Sequence, residues 1–137
     1  MFYEYRLTVP ANTPAAMPLV QEVTLAPGRI IAMAVQLPDR CVGLVHAQIW
    51  EGLYRHWPSN PDSDISGDNV VVAWQEVFDL DPTAPRLRLA GWNLDDSYPH
   101  TITFRINVIP QATIEEQAHA LEALQYLYRW FTQRPGG

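Results

Sequence analysis

The sequence predicts an all-β protein: a seven- to eight-stranded antiparallel sandwich, jelly-roll or immunoglobulin-like in its Greek-key connections, carrying one C-terminal α-helix. Three observations carry that expectation. Apolar and polar residues alternate at period two in run after run, most cleanly from His100 to Ile109. Proline, glycine, asparagine and aspartate punctuate the runs. No stretch before Thr113 shows the three- and four-residue apolar spacing of a helix, which removes a βαβ fold.

Phe2 to Val9 reads as a half-buried strand, with Tyr3, Tyr5, Leu7 and Val9 on one face and Glu4, Arg6 and Thr8 on the other. Pro10 to Pro18 is proline-rich and small, so it reads as a loop or an extended arm able to reach a neighbouring subunit. Gln21 to Leu25 resumes a strand, and Pro27-Gly28 turns it. Arg29 to Leu37 is apolar on both faces, as a central strand is. Val42 to Trp50 follows, with Val45, Ala47 and Ile49 on one side and Leu44, His46, Gln48 and Trp50 on the other. Gly52 to Trp57 is a short strand completing a hairpin, and residues 58–64 form a long polar turn. Val70 to Phe78, Arg86 to Trp92 and His100 to Ile109 complete the set. On the last of these, Ile102, Phe104, Ile106 and Val108 face in. The long connections at 10–18 and 51–69 favour Greek-key crossings over simple hairpins, and the Cys–Trp–Cys pattern of true immunoglobulin domains is absent.

The boundaries that follow are a β-sandwich over residues 1–110, an amphipathic helix over 111–134 and a short tail at 135–137. Thr113 and Glu116 have the spacing of a capping box. Ile114, Leu121, Leu124, Tyr128 and Phe131 recur at three- and four-residue steps, and Ala118, Ala120, Ala123 and Leu127 widen the stripe. Glu115, Glu122, Gln125 and Arg129 occupy the opposite face. Glutamates early and Arg129 and Arg134 late complement the helix dipole, and Pro135-Gly136-Gly137 ends the helix.

Composition bounds the function. A chain of 137 residues builds one core without staples, and its single cysteine, Cys41, leaves no internal disulfide framework. The net charge of −6 argues against nucleic acid and against an anionic membrane as partner. There is no signal-peptide pattern and no run approaching a transmembrane segment, so the chain reads as soluble. All nine basic side chains are arginine, which suits buried protein contacts beside five tryptophans and six tyrosines.

Candidate chemistry is sparse. Asp62, Asp64, Ser66 and Gly67 match the first, third, fifth and sixth positions of a calcium loop, but the twelfth position holds Ala73 and strands flank the loop, so no metal is assigned. His46, His56, His100 and His119 form no close ligand pair, and a cupin-like enzyme would need histidines that converge. Cys41 has no nucleophile signature. The expectation is therefore no catalytic residue, no metal and no cofactor. Trp50, Tyr54 and Trp57, with Asn60 and Asp62, form the one ligand-binding alternative: exposed rings stacking on a sugar while polar side chains hold its hydroxyls.

Two stretches, Trp57-Pro58-Ser59-Asn60-Pro61 and Gly91 to Thr101, resemble segments of small β-sandwich proteins of tailed-virus (bacteriophage) type. The resemblance covers residues 3 to 110 and leaves out the helix. It implies a virion component, a capsid decoration or other head or tail structural protein used in many copies, and hence a virion location in place of a cytoplasmic one. The residues lean the same way without it. Leu121, Leu124, Leu127, Tyr128, Trp130 and Phe131 give the helix more apolar surface than one side contact needs, which marks an interface. The expected protein is a non-enzymatic structural homo-oligomer, for example a trimer, attached to a larger assembly such as a capsid; a carbohydrate-binding module is the alternative.

Overall fold

The structure, a computed structural model, describes residues 1–132. Nine strands are present among these residues: β1 (Phe2–Val9), β2 (Leu19–Thr24), β3 (Gly28–Leu37), β4 (Val45–Glu51), β5 (Tyr54–Trp57), β6 (Ile65–Ser66), β7 (Val70–Asp79), β8 (Arg86–Asn93) and β9 (His100–Pro110). A single helix, α1 (Gln111–Thr132), follows them. One sheet has the order β1-β9-β3-β7 and the other β2-β8-β4-β5, with β6 also paired to β4, and every pairing is antiparallel.

The pairing is nested. The first strand lies beside the last, β2 beside β8, β3 beside β7, and β4 beside β5 and β6. A long antiparallel ribbon folded over on itself gives this order, and it is the order of a jelly roll. An immunoglobulin-like sandwich places its first two strands side by side, whereas β1 and β2 lie in opposite sheets.

Alternation along the strands builds the core. Ile102, Phe104, Ile106 and Val108 of β9 are fully buried and meet Val45, Ala47 and Ile49 of β4 and Leu87 and Leu89 of β8 in one cluster. Leu7 and Val9 of β1 join them, with Tyr3 and Tyr5 packed at the margin. β3 lies between β9 and β7, the inner position its apolar run predicts.

Several local expectations are corrected. The fourth strand begins at Val45, not Val42, because Val42 and Gly43 adopt positive φ in a turn closed by Leu44 N–H to the Cys41 carbonyl at 2.9 Å. β6 adds a strand too short to show a period. The segment 10–18 is not an arm: Asn12 N–H donates to the Asp95 carbonyl at 2.8 Å, and Thr13 bridges to Asn93, so it is fastened to its own sandwich.

The helix also starts earlier than its capping signal. α1 begins at Gln111 directly from β9, and Thr113 sits within its first turn, so the Thr113–Glu116 box does not mark the start. Pro110 has no amide to orphan, and the Gln111 amide is taken by the Pro27 carbonyl at 2.7 Å. The expected stop at Pro135-Gly136-Gly137, with Arg134, lies outside the described residues.

Candidate functional site

The helix is the most exposed apolar element of the fold. None of its residues is buried; only Thr113 and Ile114, near the sandwich, are partly covered. At 1.5 Å per residue it extends about 33 Å. Its contacts with the body are to β3 and β9, so it leaves the end of that sheet and covers neither sheet face. Leu121, Leu124, Leu127, Tyr128, Trp130 and Phe131 are each at least half exposed.

Those positions are ordered. Ile114, Leu121 and Tyr128 recur every seven residues, and Gln117, Leu124 and Phe131 follow each by three, the a and d positions of a heptad. Ala120 and Leu127 widen the stripe on one side, and Ala118 and Gln125 border it on the other. No charged residue falls on this seam. Glu115, Glu122 and Arg129 lie on the far face, and Glu116 and His119 stand off the stripe. Trp130 lies away from the seam, its ring edge-on to Phe131 with centroids 5.0 Å apart.

The residues predicted for a sugar site do not come together. Trp57 is only 6% exposed and belongs to the core cluster, a correction to its reading as an exposed stacking ring. Pairing of β5 with β4 sets it opposite Ile49, across a register shift, so it points where Ile49 points. Trp50 instead lines a shallow groove of about 270 Å³ with Pro18, Val20 and Arg88. Tyr54 is exposed and stacks on His56, while Asn60 and Asp62 are exposed on the polar turn. The Asn60 carbonyl is held by Arg55 Nη2 at 2.6 Å.

That turn is pinned to its sheet. Gln48 Nε2 donates to the Ser63 carbonyl at 2.9 Å, and Arg55 Nη1 donates to the same carbonyl. Asp64 Oδ1 lies 2.7 Å from His46 Nδ1, whose ring stacks on Trp92 at 5.3 Å. Asp68 Oδ1 accepts the Val42 amide at 2.9 Å. Asp64 and Asp68 thus serve separate protein contacts, and among the described residues no group of three or more His, Cys, Asp or Glu side chains converges.

The histidines are dispersed likewise. His100 Nε2 stands 2.8 Å from Asp95 Oδ2, His56 Nε2 lies 3.5 Å from Glu51, and His119 faces Glu122 on the exposed helix. The His100 hydrogen bond, reinforced by the Ser97 and Tyr98 amides, holds the Asp95 carboxyl below the ordinary range against a smaller opposing effect of burial. Cys41 is buried, its thiol directed at the Pro38 and Gly67 carbonyls, and burial raises its pKa, which suits packing and not nucleophilic attack.

Sequence reasoning missed one constellation. Trp74 and Glu76 of β7 face inward with Val72 and Phe78, and Trp57 Nε1 donates to Glu76 Oε2 at 2.8 Å. The signal was a carboxylate on the inward parity of an apolar strand, a placement that demands a polar partner.

Fold and surface together define a jelly-roll sandwich bearing a projecting, apolar, uncharged helical seam. No protein-family model matches the chain, and no curated protein sequence is similar to it. Among the described residues no helix is long and apolar enough to cross a membrane.

Proposed function

We propose that this protein is a non-enzymatic structural subunit that self-associates through α1 and works as a symmetric homo-oligomer in a larger assembly. The observation that carries this is the helical seam: across three heptads five of the six a and d positions are apolar, exposed on the single chain from Leu121 onward, and none is charged. Burying each large side chain is worth about 1.5–3 kcal/mol, so several per helix weigh against the cost of association.

A second copy is the occupant the chemistry favours. A subunit of net charge −6 meets its copy along a strip with no like charges to oppose. A lipid-bound helix of this kind carries a basic polar face, whereas here the polar face carries Glu115, Glu116 and Glu122 with little basic charge beside Arg129, the reverse of what anionic membranes attract. The stripe is wider than a strict a/d seam, because Ala120 and Leu127 extend it, and this suits a bundle of three or more helices over a pair.

The wider setting proposed is a virion, as a capsid decoration or a head or tail component. It rests on the resemblance of Trp57–Pro61 and Gly91–Thr101 to tailed-virus sandwich proteins, and on the jelly roll, an architecture that viral capsid proteins share with lectins and cupins, here an analogy of fold alone. Light scattering on the whole chain and on a truncation ending at Gln111 tests the joint. The whole chain is expected as an oligomer and the truncation as a folded monomer. A monomer in both overturns it.

A further inference from the structure

One end of the first sheet is left open. β7 pairs with β3 alone, and among the described residues no hydrogen bond outside that pairing reaches the backbone of Val70–Asp79. The second sheet does not cover this edge: between β7 and the strands β5 and β6 lies a pocket of about 500 Å³, bordered on one side by Val72, Trp74 and Glu76. The other strands that end a sheet carry charge, Glu4 and Arg6 on β1, Glu22 on β2 and Arg55 on β5, a common guard against a passing strand. Val70–Gln75 carries no charge, no proline and no glycine, and Val71 is 51% exposed. An uncharged, unpaired run of this kind is a template for a further strand.

We infer that the occupant is β7 of a second copy, antiparallel about a two-fold axis at Val72, so that two sandwiches share one continuous sheet. The backbone selects this register. Asn69 N–H donates to the Pro38 carbonyl at 3.0 Å, and from there hydrogen-bonded and open pairs alternate along the ladder with β3. Val71, Ala73 and Gln75 are therefore engaged with β3, while Val70, Val72 and Trp74 aim their backbone groups at the open edge. A two-fold pairing has to be centred on one of these last residues. Centred on Val72, it joins Val72 to its own copy and Val70 to Trp74 by hydrogen bonds, with Val71 beside Ala73 on the outer face. Centred on Trp74, it runs into the register shift beyond Gln75 and sets Glu76 against Val72. Centred on Val70, it needs Asn69, whose positive φ turns the chain away.

Charge agrees with a copy as occupant. No ionisable residue lies between Val70 and Trp74, so two chains of net charge −6 meet along a neutral ladder. Asp68 lies beyond the turn at Asn69, its carboxylate held by the Val42 amide at 2.9 Å. The ladder is about 17 Å long at about 3.4 Å per residue, and so small a contact is weak on its own. It gains strength where several copies are already joined, because each further β7 pair then forms at high local concentration. The contact is separate from the α1 joint and does not rest on it. Where α1 also joins copies, the two contacts together link one oligomer to the next.

Sedimentation equilibrium on the full-length chain carrying Leu121→Asp and Leu124→Asp isolates this contact, because its α1 seam is disabled. That chain is expected as a monomer at micromolar concentration and as a dimer at about 1 mM, as a small transient contact gives. Val71→Lys added to it is expected to weaken the dimer about tenfold, by setting lysines on neighbouring positions of one sheet face. Val77→Lys makes the same change of charge on an exposed residue of β7 beyond the register shift, and is expected to dimerise as before. Circular dichroism checks that each variant stays folded. For the register, Val71→Cys and Ala73→Cys chains are mixed in equal amounts and oxidised. Opposed residues of an open pair stand about 4.5 Å apart at Cα, within disulfide reach, whereas diagonal positions stand about 7–8 Å apart. The mixed disulfide is expected well above its statistical share. A chain that stays monomeric at about 1 mM overturns the inference and leaves the edge to a different partner. So does equal dimerisation of the two lysine variants, a statistical mixture of disulfides, or growth into fibres, since a two-fold contact closes after one pair.

Discussion

Thr13 and Asn93 hold each other through both backbone amides, each N–H donating to the other's carbonyl at 2.9 Å. Asn93 is fully buried, and its side chain completes the junction: Nδ2 donates to the Val9 carbonyl at 3.2 Å and the Tyr98 carbonyl at 2.9 Å, while Oδ1 accepts the Asp95 amide at 3.0 Å. One amide therefore ties β1, β8 and the turn into β9. Asn93→Ala is expected to destabilise the protein by roughly 2–4 kcal/mol, since three backbone groups, one buried and two partly buried, lose their partner. Urea denaturation at neutral pH measures it, and a loss under about 0.5 kcal/mol, the range of surface changes, would refute the account.

What the sequence revealed divides along physical lines. Period-two alternation reports which face of a strand is buried, so Val45, Ala47 and Ile49 and the inward set of β9 are readable one residue at a time. Pairing partners are not local. Whether Trp57 is exposed depends on its opposition to Ile49 across the register shift in β4, and the pocket beside it exists only once β7 closes over β5 and β6. The heptad seam of α1 was readable because helical spacing is intrinsic to the segment. Its start was not, because the Pro27 carbonyl that receives the Gln111 amide comes from a distant turn. The docking of 10–18 was hidden for the same reason: prolines announce a loop but not its destination.

Two glycines separate by what surrounds them. A Cβ on Gly91 would stand 2.7 Å from Ile102 Cδ1, 3.1 Å from Val9 Cγ2 and 3.3 Å from Leu7 Cδ2, all side-chain atoms that can shift. A Cβ on Gly28 would collide with the backbone of Ile109 and Pro110, where β3 pairs with the end of β9 and α1 departs. Gly91→Ala is expected to cost about 1–3 kcal/mol, as overpacking does, with the fold retained. Gly28→Ala is expected to cost more and to displace the helix, because neither backbone segment has room to yield. Thermal melts rank the two, and a smaller loss for Gly28→Ala would contradict this reading.

Asp95 makes stability depend on pH in one direction. With His100 Nε2 at 2.8 Å and the Ser97 and Tyr98 amides on its other oxygen, its carboxyl is held below the ordinary value in the folded state. The unfolded chain therefore binds the proton more readily. The stabilisation is present above the ordinary aspartate pKa, about 3.9, and is lost as the pH falls from there through the folded value. Asp95→Asn keeps an acceptor for the amides but cannot ionise, so its stability is expected to fall less than the parent's on acidification through that window. Denaturation curves at stepped pH compare the slopes, and a variant as acid-sensitive as the parent would show that Asp95 is not the group responsible.

The seam of α1 should respond to charge but hardly to salt. Leu121 and Leu124 lie at its middle, and replacing both with aspartate puts a cluster of like charges at the centre of a self-association interface that otherwise has none. Because α1 buries no residue against the sandwich, the double variant is expected to keep the parent's jelly roll while dissociating to a monomer. Glu115→Gln with Glu122→Gln changes charge by the same magnitude with the opposite sign, on the opposite face, and is expected to remain assembled. An interface held by apolar contact should also persist from low to molar salt, where the Debye length shrinks from about 30 Å to 3 Å and surface ion pairs are screened. Sedimentation velocity on the parent and the two double variants, each at low and at molar salt, separates these cases. An oligomer that survives Leu121→Asp with Leu124→Asp but falls apart in salt would mean that copies meet through charged surface elsewhere, and that the helix contributes nothing to joining them.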